Sequence, residues 1–325
     1  MVGMICNSSS DLLLLDFPSL MNINGKIFLD IAYPLMFLGI ITSSLTLLML
    51  AKDKETLLST RFLLSCLAVS DMGYLAFNIL IGILTPLTSI KIHYFLLILN
   101  SRRLCEFMRN WVAAILSFER FLFFYDPLNF ESLWRIDGVR TVVTILTFLG
   151  LFCEIPNTVY IVALALLQDC EILRQICSFQ SIMNLLTVTI LPLVCMAIFS
   201  FLTTKVINKL IYRMFSATQL ISPSRTTVRG SKNAMKIIRN SLIVFTVTSI
   251  PAIPTYCITF HLAYLHKTDI RAISFLTILH GLASLFSIIN STCNFFVFIL
   301  QSSRYRRILM VTFRLRCFKP SFKSS

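Results

Sequence analysis

Charge is what this sequence has least of. Asp, Glu, Lys and Arg supply 14% of its 325 residues against 56% hydrophobic ones, and the mean hydropathy is +0.81. That leaves too little polar material to cover a water-soluble globule. Metal-ligand spacing is also missing: the ten cysteines are scattered, and His93, His261, His266 and His280 are dispersed, which argues against a zinc site, a metal cofactor, a redox centre or an enzyme nucleophile. The first 26 residues lack a basic start followed by an apolar run and a small-residue cleavage site, so no cleavable leader is expected and the first apolar segment should direct insertion. No internal repeat, low-complexity tract or soluble domain interrupts the chain, which reads as one domain over residues 1–325.

Long apolar runs are what the chain has in quantity. A helix crossing the hydrocarbon layer needs roughly 20 mostly apolar residues, with its backbone polar groups satisfied internally. Seven stretches meet that demand: Ile27 to Leu50, Arg61 to Leu84, Ile92 to Phe124, Val139 to Leu166, Ser181 to Tyr212, Ala234 to Tyr264 and Ile270 to Leu300. The expected fold is all-α, a seven-helix transmembrane bundle over residues 27–300, preceded by an outer segment (1–26) and followed by a cytoplasmic helix and tail (301–325).

The net charge of +14 is not spread as a nucleic-acid-binding surface would be. With the first terminus outside, twenty of the 29 basic residues fall in inner segments and five in outer ones; the other four lie in the third stretch. Basic residues hold loops in the cytoplasm, so the imbalance predicts an outer N-terminus and an inner C-terminus in the plasma membrane. Asn7-Ser8-Ser9 is a glycosylation sequon on that outer side. Cys170 and Cys177 share an outer loop, and residues 216–231 read as an inner loop rich in Ser, Thr and Arg.

Several motifs recur in a fixed order. Ser117-Phe118-Glu119-Arg120-Phe121 closes the third stretch, followed by Tyr125-Asp126-Pro127-Leu128. Leu67-Ala68-Val69-Ser70-Asp71 lies in the second, and Asn290-Ser291-Thr292-Cys293-Asn294-Phe295-Phe296 in the last. Pro192 interrupts the fifth, while Phe245 and Pro251 stand six residues apart in the sixth. Ser302-Ser303-Arg304-Tyr305-Arg306-Arg307 follows the seventh, with Cys317 beyond it.

Together these residues resemble the rhodopsin-like G-protein-coupled receptors. Glu119-Arg120-Phe121 is similar to the Glu/Asp-Arg-Tyr signature, the last stretch to the Asn-Pro-x-x-Tyr region, and Phe245 with Pro251 to the Phe-x-x-Cys-Trp-x-Pro switch. Phe152-Cys153-Glu154-Ile155-Pro156 and the Asn-Ser-x-x-Asn-Phe pattern resemble invertebrate receptors for FMRFamide-type neuropeptides. The resemblance implies an arginine, Arg120, held by its neighbouring carboxylate until the bundle opens to a heterotrimeric G protein. It implies a buried polar core of Asp71, Asn290, Ser291 and Asn294, helix kinks at Pro192 and Pro251, and a basic amphipathic helix lying on anionic lipid, with Cys317 a candidate for palmitoylation. The ligand would be an extracellular peptide or small molecule; nucleic acid is not a partner.

The departures matter as much. Phe95 stands where relatives carry the outer cysteine of the third helix, and Cys105 lies too deep, leaving Cys170 with Cys177 as the candidate disulfide. Thr248 and Ser249 replace the cysteine and tryptophan of the sixth helix, and Ser200 and Phe298 replace two tyrosines. Arg102, Glu106 and Arg109 are spaced by four and three and so share a helical stripe, with Arg120 five turns further on. Arg102 takes the position at which amine receptors carry an aspartate, so an anionic or carboxyl group is the expected ligand chemistry for Arg102 with Arg103, while Glu106 balances the arginines or meets a basic residue of a peptide. The competing expectation is an ion network that only stabilises helix packing. Arg109 falls where relatives place a sodium ligand, and its guanidinium is expected to replace the ion beside Asp71. A transporter or channel is a further class, lacking here the inverted repeats expected of it, as are a non-signalling seven-helix ligand trap and a chemosensory receptor.

Overall fold

The computed structural model describes residues 28–53, 56–84, 92–156, 158–159, 179–217, 270–301 and 303–312, with residues 175 and 253 singly. Regular structure among them is entirely helical. The sixth expected span, with Phe245 and Pro251, lies outside the described residues, as do Asn7, Cys170, Cys177 and Cys317.

Helix α1 (Tyr33–Lys52) follows a π-helical turn, Phe28–Ala32, and carries Pro34 in its first turn, where a missing N–H leaves no intrahelical bond unmade. Met36, Gly39, Ser43, Thr46 and Leu50 form its buried stripe, while Phe37, Leu38, Ile41 and Leu48 face outward. Hydroxyls on the buried side donate within the helix, Thr42 to the Gly39 carbonyl and Thr46 to that of Thr42, so no polar hydrogen is left in an apolar contact. Past Lys52 the chain turns on Asp53, whose carboxylate accepts from the backbone N–H and the hydroxyl of Thr56, while Arg61 donates to its carbonyl.

Helix α2 (Leu58–Leu84) is followed by α3 (Ile92–Tyr125). At 34 residues α3 runs unbroken through its charged positions, a length of about 51 Å at 1.5 Å per residue. Asp126 then accepts from the backbone and side-chain amides of Asn129, and a single turn, Phe130–Leu133, leads into α4 (Ile136–Cys153). The fourth span was expected to run to Leu166; α4 ends at Cys153, a single turn residue follows at Glu154, helical backbone resumes at residues 155–156 and 158–159, and residues 157 and 160–166 lie outside those described. Pro156 has no N–H to give the Phe152 carbonyl, which fits the single irregular residue at Glu154.

A π-helical segment, Leu185–Ile190, precedes α5 (Leu191–Ala217). Helix α6 (Ile270–Gln301) corresponds to the last expected span, and α7 (Ser303–Thr312) to the short helix after it. Four segments are long and apolar enough to cross a membrane: Asp30–Lys52, Leu58–Leu84, Ile136–Cys153 and Phe179–Lys209.

Polarity is inverted relative to a soluble protein. Phe148, Phe152 and Phe201 are 68%, 67% and 59% exposed, whereas Asp71, Arg109, Glu119 and Asn290 are buried. An apolar exterior of this extent calls for lipid around it. Helix α3 occupies the middle, packed against α2, α4 and α5, while α1 closes against α2 and α6. Leu63, Leu67, Phe107, Val112, Leu116 and Leu146 form the main apolar core around it. Where α4 crosses α3, Leu104 and Phe107 come so close to Gly150 that a Cβ there would lie 2.8 Å from each side chain; only a residue without one permits that approach.

Candidate functional site: the polar stripe of α3

The charged side chains of α3 meet different partners at three levels. At the outer level Arg102 Nη1 donates to Asn78 Oδ1 on α2 over 3.3 Å, and Asn78 in turn donates to the Tyr74 carbonyl. Arg103, one residue on and therefore on an adjacent face, turns to α4 and pairs with Glu154 at 4.0 Å. Glu106 accepts from Ser287 of α6 and stands 3.8 Å from Arg109. The three residues expected to line one ligand pocket are thus divided between two sides of the helix, with Arg103 committed to α4.

At the middle level Arg109 is nearly enclosed. Its Nη1 donates to Ser291 Oγ at 2.7 Å and to the Ser287 carbonyl, Nη2 to Ser287 Oγ at 2.9 Å, and Nε to Asn110 Oδ1 at 3.1 Å. The guanidinium carbon lies 4.7 Å from the centre of the Tyr74 ring, within cation–π reach. Asp71 accepts from Asn294 Nδ2 at 2.8 Å. Arg109 and Asp71 share this cluster: the guanidinium bonds the α6 hydroxyls and stands beside Glu106, forms no ion pair within 4.0 Å with Asp71, and acts on it through its charge. Asp71 Oδ1 is buried with no hydrogen-bond donor among the described residues. The donor set does not suit a sodium ion, because a fixed guanidinium in the same polar cluster repels a second cation. Asn290 and Ser291 are both buried on the α6 face.

At the inner level Glu119 is buried and accepts on Oε1 from Thr60 at 2.6 Å and from the Trp134 indole at 3.1 Å. Glu119 takes these two neutral donors on one oxygen and lies beside Arg120, whose charge acts on it without an ion pair within 4.0 Å. Phe121 stacks with Phe199 of α5 and meets Tyr125, and Phe118 meets both Trp134 and Phe199. Tyr305 of α7 packs against the same core.

One contact pair at the α3–α5 crossing carries no motif. Pro192 has no N–H for the Val188 carbonyl, and the Leu191 N–H reaches back to Leu186 rather than to Thr187. Two carbonyls are thereby freed in an apolar setting, and α3 satisfies both: Asn110 Nδ2 donates to Val188 at 2.8 Å and Trp111 Nε1 to Thr187 at 2.9 Å. Asn110, Trp111, Ser287, Thr60 and Trp134 are functional or supporting residues that motif reading passed over. For Asn110 the signal was present, since a mid-helix proline always leaves a carbonyl in search of a donor.

No protein-family model matches the chain, and no curated protein sequence matches it.

Proposed function

We propose that the protein is a seven-span receptor of the rhodopsin-like G-protein-coupled class, multi-pass in the plasma membrane with its N-terminus outside, and that it activates a heterotrimeric G protein. The observation that carries this reading is the continuity of α3. One unbroken helix presents charged groups to a candidate ligand region at Arg102 and Glu106, is tied to α6 through Arg109, and ends at Glu119 and Arg120 beside the basic inner segments. The order of the motifs from Asp71 to the short helix α7 supports it. Ligand would favour the state in which the inner cavity opens, and a rigid helix transmits that preference because both ends move with it. No reaction is catalysed.

The ligand favoured by Arg102 is one with a carboxylate or other anionic group, either on a neuropeptide or on a small organic acid. The latter would make the protein a chemosensory receptor. A non-signalling ligand trap is the second reading, favoured by Ser200 and Phe298 at positions where relatives carry tyrosines. Amidated peptides and small organic acids, screened in cells against a set of G-protein activation sensors, separate these readings. A ligand that activates the wild type and loses its response in Arg120→Ala, while binding is retained, supports the receptor. Binding with no sensor response in the wild type points to the trap, and ion flux without a sensor response points to transport.

A further inference from the structure

One face of α7 is turned toward the bundle. Ile308 and Leu309 lie three and four residues beyond Tyr305, so the three share a face, and all three are half-buried, whereas Arg306, Arg307 and Val311 are exposed. The helix rests on α6 and α1. The Tyr305 ring packs on the main apolar core, to which α1 contributes Leu50, α2 Leu63, Leu64 and Leu67, and α3 Leu116 among others. Leu50 stands two residues before the end of α1, and Leu116 one turn before Arg120. The bond from Thr60 to Glu119 sets the start of α2 at the same level. Tyr305 therefore enters the bundle at its inner floor, beside the end of α3.

Arg120 is half-buried at that level, and the Tyr305 phenol is near enough to act on its charge. A guanidinium is drawn both to the oxygen and to the ring face of a phenol. A ring seated beside it also takes space that a partner rising from the cytosol would need. The exposed side of α7 carries Arg306 and Arg307, whose attraction is to anionic lipid. A roll of α7 on the membrane surface withdraws Tyr305 while these long side chains keep reach of the headgroups.

We propose that α7 is an autoinhibitory lid: Tyr305 covers Arg120 in this state and has to withdraw before Arg120 can meet a partner. The partner is the G protein of the receptor reading, on which the purpose of the lid rests, though not the contact itself.

The test measures the reach of Arg120 directly. Membranes from cells expressing the full chain are treated with phenylglyoxal, which modifies accessible guanidinium groups, and each arginine is followed by peptide mass. In the wild type Arg120 should react about tenfold more slowly than Arg306 and Arg307, because it waits on the opening of α7. Tyr305→Ala should raise the Arg120 rate about tenfold, and Tyr305→Phe, which keeps the ring and removes the oxygen, about threefold, with Arg306 and Arg307 unchanged. Arg109 controls for folding and should stay unreactive throughout; if it reacts in Tyr305→Ala, Tyr305→Phe decides. An Arg120 rate that is the same with and without Tyr305 would overturn the lid. In cells both variants should raise basal G-protein activation. Faster Arg120 modification with a silent sensor would leave the lid standing and remove the receptor reading, and a sensor response with unchanged modification would do the reverse.

Discussion

The outer and inner halves of α3 handle charge in opposite ways. In the outer part Arg103 pairs with Glu154 and Arg109 stands beside Glu106, while Arg102 donates to the neutral Asn78. At the inner end Glu119 is met by a hydroxyl and an indole instead. The outer arrangement ties α3 to α4 through the partly exposed Arg103 pair and to α6 through the buried hydrogen bonds of Arg109, which are costly to break in an apolar medium. The inner one holds the Glu119 carboxylate with neutral donors beside Arg120. The difference teaches that a stripe uniform in sequence can be met by charge at one level and by neutral donors at another.

The sharpest way to break the comparison is Arg109→Ala. It removes four hydrogen bonds and leaves the buried side of Glu106 without its countercharge, so a loss of about 3–5 kcal/mol is expected, read as low surface expression and a large drop in the melting temperature of detergent-solubilised protein. Asn110→Ala strands the Val188 carbonyl and should cost about 1–3 kcal/mol by the same measurement. Asn110→Asp should fail to restore it, since a carboxylate cannot donate.

Thr60→Ala removes the shorter bond to Glu119 and should cost about 1–2 kcal/mol. Its readout is basal G-protein activation, expected to rise as Glu119 loosens; an unchanged basal level would mean that the Thr60 bond has no part in holding the inner end. A double-mutant cycle on Arg103→Gln and Glu154→Gln should give a coupling of only about 0.5–1 kcal/mol, since Arg103 is partly exposed. The smallest expected effect is none: replacing sodium with a large organic cation should not shift ligand affinity, and a marked shift would place an ion beside Asp71 after all.

Hydropathy marked most helix positions well, because an apolar run of membrane length admits few alternatives. The starts of α2 and α4 came three residues earlier than the apolar runs did, where polar residues complete a first turn that composition does not weigh. The π-helical segment before Pro192 was not legible, since one extra residue in a turn leaves no periodic trace in an apolar stretch. In the site, Asp71, Ser291 and Asn294 were marked by their resemblance to receptor motifs and Arg109 by its place on the charged stripe and in that resemblance; Arg109 bonds Ser291, and Asn294 bonds Asp71. The partners of Glu119 and Arg103 were not marked, because a contact 59 residues away, such as that of Thr60 with Glu119, depends on helix register that no local pattern encodes.

The two α3 side chains that serve the freed carbonyls of the π-helical segment also limit how the helices can move. Sliding the fifth span along the third would strip both carbonyls of donors in a water-free medium, whereas rotating it about their crossing keeps both supplied. That crossing is therefore a fulcrum: any signal passed between these helices must travel as a tilt, with outer displacement returned as inner displacement of opposite sense.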